Sequence, residues 1–189
     1  MKILITGGSG YLGSRLSFYF KKMGHEVYIG TRQIRKLPFM WDPNKVYKID
    51  WLEKETLDRA CSQIDVLIHA AGMNSVDCVD HTEQAILFSR HSTKLLVDSA
   101  SKSGVRQFIY ISTAHVYSRS LNGLINEESK TENDHPYALC NLAGEAASLN
   151  VDRQYGMKTS IIRLANAFGP PKAKQINCWH LFINNIAKE

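Results

Sequence analysis

Cysteine is scarce in this chain, and what there is lies badly spaced for chemistry. Cys61, Cys78, Cys140 and Cys178 form no pair with metal-ligand or redox spacing, so no metal site is expected and the thiols read as reduced and mostly buried. Such cysteine usage fits a cytosolic, hence cytoplasmic, protein. Long apolar runs are missing too, which speaks against a membrane span. Met1-Lys2 leads at once into a β-type run, leaving no signal peptide to read. Neither an internal repeat nor a low-complexity tract occurs. Charge of one sign does not dominate: 23 Lys and Arg against 18 Asp and Glu leave a net +5. The basic residues are scattered, apart from a small group at Arg32, Arg35 and Lys36. That balance would welcome any acidic ligand, nucleic acid included, and by itself decides nothing. Nothing beyond it points to nucleic acid as a partner.

What is present is an ordinary globular composition, 44% hydrophobic and 22% charged over 189 residues, enough to bury a core without staples. Short apolar runs alternate with amphipathic stretches. Strands are expected over residues 2–6, 26–29, 46–49, 65–69, 107–112 and 160–164. Helices are expected over 11–23, 52–61, 83–101 and 137–154. Leu12, Leu16, Tyr19 and Phe20 mark the inner face of the first helix, and Ile86, Leu87, Leu95, Leu96 and Val97 that of the long one. Strands separated by helices throughout imply an α/β fold with a doubly wound parallel sheet, the Rossmann arrangement. Residues 1–170 read as that domain. Within 171–189, Trp179, Phe182, Ile183 and Ile186 form an apolar stripe at helical spacing that stops three residues before the last. The expectation is that 171–189 begins a substrate-binding segment continuing beyond Glu189.

The first chemical motif is Thr6-Gly7-Gly8-Ser9-Gly10-Tyr11-Leu12-Gly13, which follows a strand and opens a helix. Gly7, Gly10 and Gly13 stand where a tight turn, a backbone approach to a pyrophosphate and close helix–strand packing demand glycine. The helix N-terminus adds N–H groups and a positive dipole end for phosphates. A dinucleotide site is the expectation. NAD-selective domains usually place an acid after the second strand to hold the ribose 2′-hydroxyl; here Gly30-Thr31-Arg32 follows, with Arg35 nearby. A neutral residue and a planar cation suit a 2′-phosphate, so NADP is expected, with NAD as second choice.

Further along come Ser112-Thr113-Ala114-His115-Val116-Tyr117 and Pro136-Tyr137-Ala138-Leu139-Cys140-Asn141-Leu142-Ala143-Gly144-Glu145. His69-Ala70-Ala71-Gly72 follows the fourth strand and Arg163-Leu164-Ala165-Asn166-Ala167-Phe168-Gly169-Pro170 the sixth. With these, the chain resembles the extended short-chain dehydrogenase/reductases, the NAD(P)-dependent epimerase/dehydratase family of sugar-nucleotide enzymes. The resemblance implies that Gly7, Ser9, Gly10, Tyr11, Leu12 and Gly13 cradle the pyrophosphate and that Thr31, Arg32 and Arg35 face the 2′ position. Asp50 and Trp51 would meet the adenine, and Ala70, Ala71 and Gly72 would line the central channel. It further implies Thr113 as hydrogen-bond donor to the reacting oxygen, Tyr137 as general acid/base, and His115 and Asn166 toward substrate. A homodimer through helices 83–101 and 137–154 is left open.

The pattern is broken at one important place. The family's Tyr-x-x-x-Lys ends here in Asn141, and no tyrosine of the chain is followed by Lys four residues later. An ammonium beside a phenol favours the phenolate; asparagine can hydrogen-bond a ribose but carries no charge. Ser89 and Ser118 are smaller departures, standing where the family usually has Asn and Gly. Two functions stay open. One is hydride transfer on a sugar nucleotide or related hydroxyl/ketone compound, weakened by Asn141. The other is a non-catalytic NADP-binding sensor or regulatory protein.

Overall fold

The computed structural model describes residues 1–34, 41–118, 123–151 and 156–167. Arg35, Lys36, Cys178, the C-terminal stripe and the whole expected segment 171–189 lie outside the described residues.

Six parallel strands form one sheet in the order β3-β2-β1-β4-β5-β6, with β1 Lys2–Thr6, β2 Glu26–Thr31, β3 Val46–Lys48, β4 Val66–His69, β5 Gln107–Thr113 and β6 Lys158–Leu164. The helices are α1 Tyr11–Lys22, α2 Lys54–Cys61, α3 Ser75–Asp80, α4 Thr82–Lys102 and α5 Pro136–Leu149. The doubly wound expectation holds. β1 pairs with β2 on one side and β4 on the other, so the chain's direction of travel across the sheet reverses there. A crevice opens at such a point, outside the carboxyl ends of the strands.

Strand alternation feeds two cores. Leu4, Leu67 and Phe108 point to one face, where they meet Leu57, Leu96, Val97 and Ala100 of α2 and α4. Ile3, Ile5, Val27, Ile29 and Ile68 point to the other, against Leu16, Phe18 and Phe20 of α1. Each such side chain contributes about 1.5–3 kcal/mol by leaving water. Two inward assignments fail. Tyr19 is 58% and Leu87 65% exposed, because both helices turn their smallest residues to their neighbours. The deeply buried positions of α1 are Tyr11, Gly13, Ser14 and Ser17, and α4 buries Ala85, Ser92, Thr93, Ser99, Ala100 and Ser101 beside Leu96 and Val97. Ser14 and Ser17 donate to Tyr11 and Gly13 carbonyls, so the close approach leaves no hydroxyl stranded.

Boundaries moved modestly. α3 was not expected; it is one short turn-and-a-half held by Asn74, whose side chain accepts from the Asp77 N–H. α5 ends at Leu149, short of the expected 154, at Asn150. Among the described residues no helix is long and apolar enough to cross a membrane.

Candidate functional site

The turn after β1 is built from steric necessity. Gly7 has φ +71°, and a Cβ there would stand 2.7 Å from the Ala70 carbonyl oxygen and the Ala71 nitrogen. A Cβ on Gly13 would stand 2.2 Å from the Gly7 carbonyl oxygen. So the turn, the start of α1 and the loop after β4 press together with no space for side chains. Gly8, to which the motif reading gave no role, is equally confined: its Cβ would meet the Ile29 side chain at 2.6 Å. Gly10 caps α1 with extended backbone and no side chain of its own. Gly10 and Tyr11, where α1 begins, line the crevice, the place that a phosphate-binding helix start requires.

A cleft of about 330 Å³ opens there, lined by Gly7, Ser9, Gly10, Tyr11, Thr31, Arg32, Trp51, Ala70, Ala71 and Gly72 among others. Most of the expected dinucleotide contacts therefore share one wall. Thr31 is buried; its hydroxyl pairs with Ser9 Oγ at 3.2 Å and accepts from the Gln33 N–H, while Arg32 stays exposed at the rim. Gly13 is buried behind the turn and shapes it without lining the cleft. Asp50 does not line the cleft. Its carboxylate accepts from the Leu52 N–H, an Asx turn that leads toward α2, and only its neighbour Trp51 reaches the wall. The floor contains His69, 3% exposed, with Nδ1 2.6 Å from Thr6 Oγ1 and Nε2 3.4 Å from Thr93 Oγ1. Packed against Trp51, Phe108 and Tyr110, its ring is pushed down to about 4 by burial.

A second and larger cleft, about 1050 Å³, adjoins the first and shares Tyr11, Ala70, Ala71, Gly72, Met73 and Ser89 with it. Leu12, Thr113, His115, Tyr137, Asn141 and Asn166 all line it. These residues come from α1, β5, the 3-10 turn Ala114–Val116, α5 and the stretch after β6. Thr113 is buried, and its Oγ1 accepts from the His115 N–H at 3.2 Å, which leaves the hydroxyl proton to donate. Tyr137 sits in the first turn of α5, where its N–H donates to His135 Nδ1 at 3.2 Å. His135 is thus an N-cap, an unusual one, and sequence reasoning missed it; a polar residue directly before Pro136 was the available signal. Asn141 donates from Nδ2 to the Tyr137 carbonyl at 2.8 Å, so its amide is bonded to its own helix. No Lys or Arg is among the described residues that line this cleft.

The cysteines behave as read where they are described: Cys61, Cys78 and Cys140 are free and buried, and burial pushes Cys61 and Cys78 up to about 12. Among the described residues no cluster of His, Cys, Asp and Glu has the makings of a metal site.

Known proteins fit this geometry. The sequence pattern of the NAD dependent epimerase/dehydratase family matches residues 3–189. A dTDP-D-glucose 4,6-dehydratase of Dictyostelium discoideum is 28% identical over 196 residues, which cover 89% of this chain and 44% of the relative. A dTDP-glucose 4,6-dehydratase (DesIV) of Streptomyces venezuelae, solved with NAD bound, superposes with a TM-score of 0.82 at 22% identity over 100% of this chain and 62% of its own. A UDP-glucose 4-epimerase of Thermotoga maritima gives 0.77 at 22% identity, over 91% and 58%. The chain spans about half the length of the curated relatives it matches. With a match running nearly end to end, over a parallel sheet of the expected form, the chain belongs to the NAD dependent epimerase/dehydratase family.

Proposed function

We propose that the protein binds NADP in preference to NAD and transfers hydride from a carbinol carbon, or to a carbonyl carbon, of a sugar nucleotide or related hydroxyl/ketone compound. The observation that carries this reading is the junction of the two clefts at Ala70, Ala71 and Gly72, with the glycine turn on one side and Thr113 with Tyr137 on the other. A dinucleotide would be held along that junction, by Gly7 to Gly10 at its pyrophosphate and beside Tyr137 at its nicotinamide. The residues fit such a guest, because Gly7 and Gly13 let the turn, the start of α1 and the loop after β4 close on one another, so that backbone rather than side chains forms this part of the cleft. Once bound, the nicotinamide supplies a hydride acceptor or donor. This chain's residues do the rest: Thr113 donates a hydrogen bond to the reacting oxygen, and Tyr137 takes the proton as hydride leaves the carbon or returns it when hydride arrives. His115 and Asn166, both exposed on the larger cleft, would meet the sugar. Residues 171–189 are proposed to begin a substrate-binding segment.

Cofactor preference rests on Arg32 at the rim and on Thr31 in place of an acid. Calorimetric titration should show tighter NADP(H) than NAD(H), with Arg32→Ala narrowing the gap by about 1–3 kcal/mol. Equal affinities in the unsubstituted protein would remove this part of the reading. A second reading, a dinucleotide-binding protein without turnover, is favoured by Asn141, which brings no charge to Tyr137. Loss of turnover in Tyr137→Phe and Thr113→Ala separates the two.

A further inference from the structure

Beside the reaction cleft, which Ser112 itself helps to line, lies a charged cluster that none of the roles above uses. Glu145 on α5 is 5% exposed, yet it is an acid. Its carboxylate accepts from Arg163 Nε at 3.0 Å and from Nη2 at 2.7 Å, a two-pronged contact, and also from Ser112 Oγ at 2.5 Å. The Arg163 guanidinium in turn lies over the Tyr117 ring, 4.8 Å from its centre. Four elements are tied by this cluster: α5 through Glu145, β5 through Ser112, β6 through Arg163, and the chain just past the 3-10 turn through Tyr117.

Each member adjoins a residue of the reaction cleft. Ser112 precedes Thr113; Glu145 follows Asn141 by one helical turn and Tyr137 by two; Tyr117 lies just beyond His115; Arg163 leads into Asn166. A buried ion pair is a poor stabiliser, since apolar residues of equal size often serve as well. What it does offer is direction, because a planar fork fixes distance and angle at once. The field reaches the cleft as well. Tyr110, whose ring crowds Gly144, is pushed above the usual phenol range by burial first and then by Glu145 and Tyr137.

We propose that Glu145 and Arg163 are positioning residues whose ion pair, fastened to Ser112 and laid on Tyr117, sets Thr113, Tyr137 and Asn166 relative to one another. The proposal rests on the assignment of Thr113 and Tyr137 as the reacting pair. Arg163 also balances the Glu145 charge, which lies two helical turns beyond Tyr137 on the same helix.

The test uses the protein that carries this chain, with 13Cζ-tyrosine incorporated and Tyr137→Phe identifying the Tyr137 resonance. Arg163→Gln, Arg163→Lys and the double variant Glu145→Gln/Arg163→Gln are compared for kcat, dinucleotide Kd and the pH at which Tyr137 titrates. The double variant buries no unpaired charge and should fold even where Arg163→Gln does not. Its kcat should fall about 10- to 100-fold with dinucleotide Kd changed less than about 2-fold, as expected for a lost alignment. Arg163→Lys keeps the charge without the fork and should lose kcat nearly as far. Arg163→Gln should move the Tyr137 titration to higher pH, and the double variant should bring it back. A folded double variant with unchanged kcat, or one whose dinucleotide affinity falls in step with kcat, overturns the proposal. So does an unmoved Tyr137 resonance in folded Arg163→Gln. Full turnover in Tyr137→Phe instead defeats the assignment of the reacting pair, while the titration arm still decides whether the ion pair acts on Tyr137.

Discussion

Gly13→Ala is a demanding test of the cleft's construction, because two local effects push in opposite directions. Gly13 lies in the first turn of α1, and alanine there gains up to about 1 kcal/mol of helix propensity. Against this, the new Cβ would stand 2.2 Å from the Gly7 carbonyl oxygen, 2.7 Å from its carbon and 2.9 Å from Gly8 Cα. All three are backbone atoms, so no side chain can swing aside. Restoring ordinary contact distances requires the helix and the turn to part by more than about 1 Å, and overpacking on that scale costs about 1–3 kcal/mol or more. Net destabilisation of about 1–2 kcal/mol should follow. The same displacement opens the turn proposed to hold the pyrophosphate, so dinucleotide affinity should fall by at least about 10-fold, or 1.4 kcal/mol. Gly72→Ala is the stability control, since nothing lies within 4 Å of a Cβ there. The assays are urea denaturation without ligand and dinucleotide titration. A Gly13→Ala protein with a raised or unchanged midpoint and intact affinity would refute the reasoning.

Two further outcomes follow from buried or missing charges. Folded His69 holds its proton less tightly than the unfolded chain does, at about 4 against an ordinary 6.5, so its contribution to stability is present above about pH 6.5 and is lost as pH falls toward 4. Denaturation midpoints across that window should drop, and His69→Gln should flatten the slope; an equally steep slope in the variant would assign the loss to other groups. Asn141→Lys should raise turnover at neutral pH and shift the rate profile to lower pH, because an ammonium beside Tyr137 favours its phenolate, with dinucleotide affinity little changed. A pH–rate profile identical to that of the unsubstituted protein would show that Tyr137 is not the proton-transfer group.

Local rules account for much of this molecule. The glycine turn was legible because three glycines at fixed spacing between a strand and a helix answer to contacts a few residues long, and the structure bears out the crowding at Gly7 and Gly13. Tyr137 and Asn141 were singled out together by the resemblance to the family's Tyr-x-x-x-Lys, and since four residues make about one turn of helix, both line the larger cleft from α5. Alternating strands and helices likewise implied the parallel sheet. Other features depended on which segments meet. Asp50 and Trp51 are adjacent in sequence, yet only Trp51 reaches the cleft, since Asp50 is drawn into the turn before α2. Leu87 reads as core by its apolarity and is exposed, because α4 packs through Ala85, Ser92 and Thr93. The short α3 carried too few residues for any periodicity to show. Glu145 and Arg163 come from a helix and a strand and have no common pattern; they became partners only when β6 paired with β5 beneath α5. Periodicity reports which side of an element is apolar, within a few residues. Pairing of charges, closeness of helix approach and the meeting of two clefts at Ala70–Gly72 are set by sheet order, which places distant segments side by side.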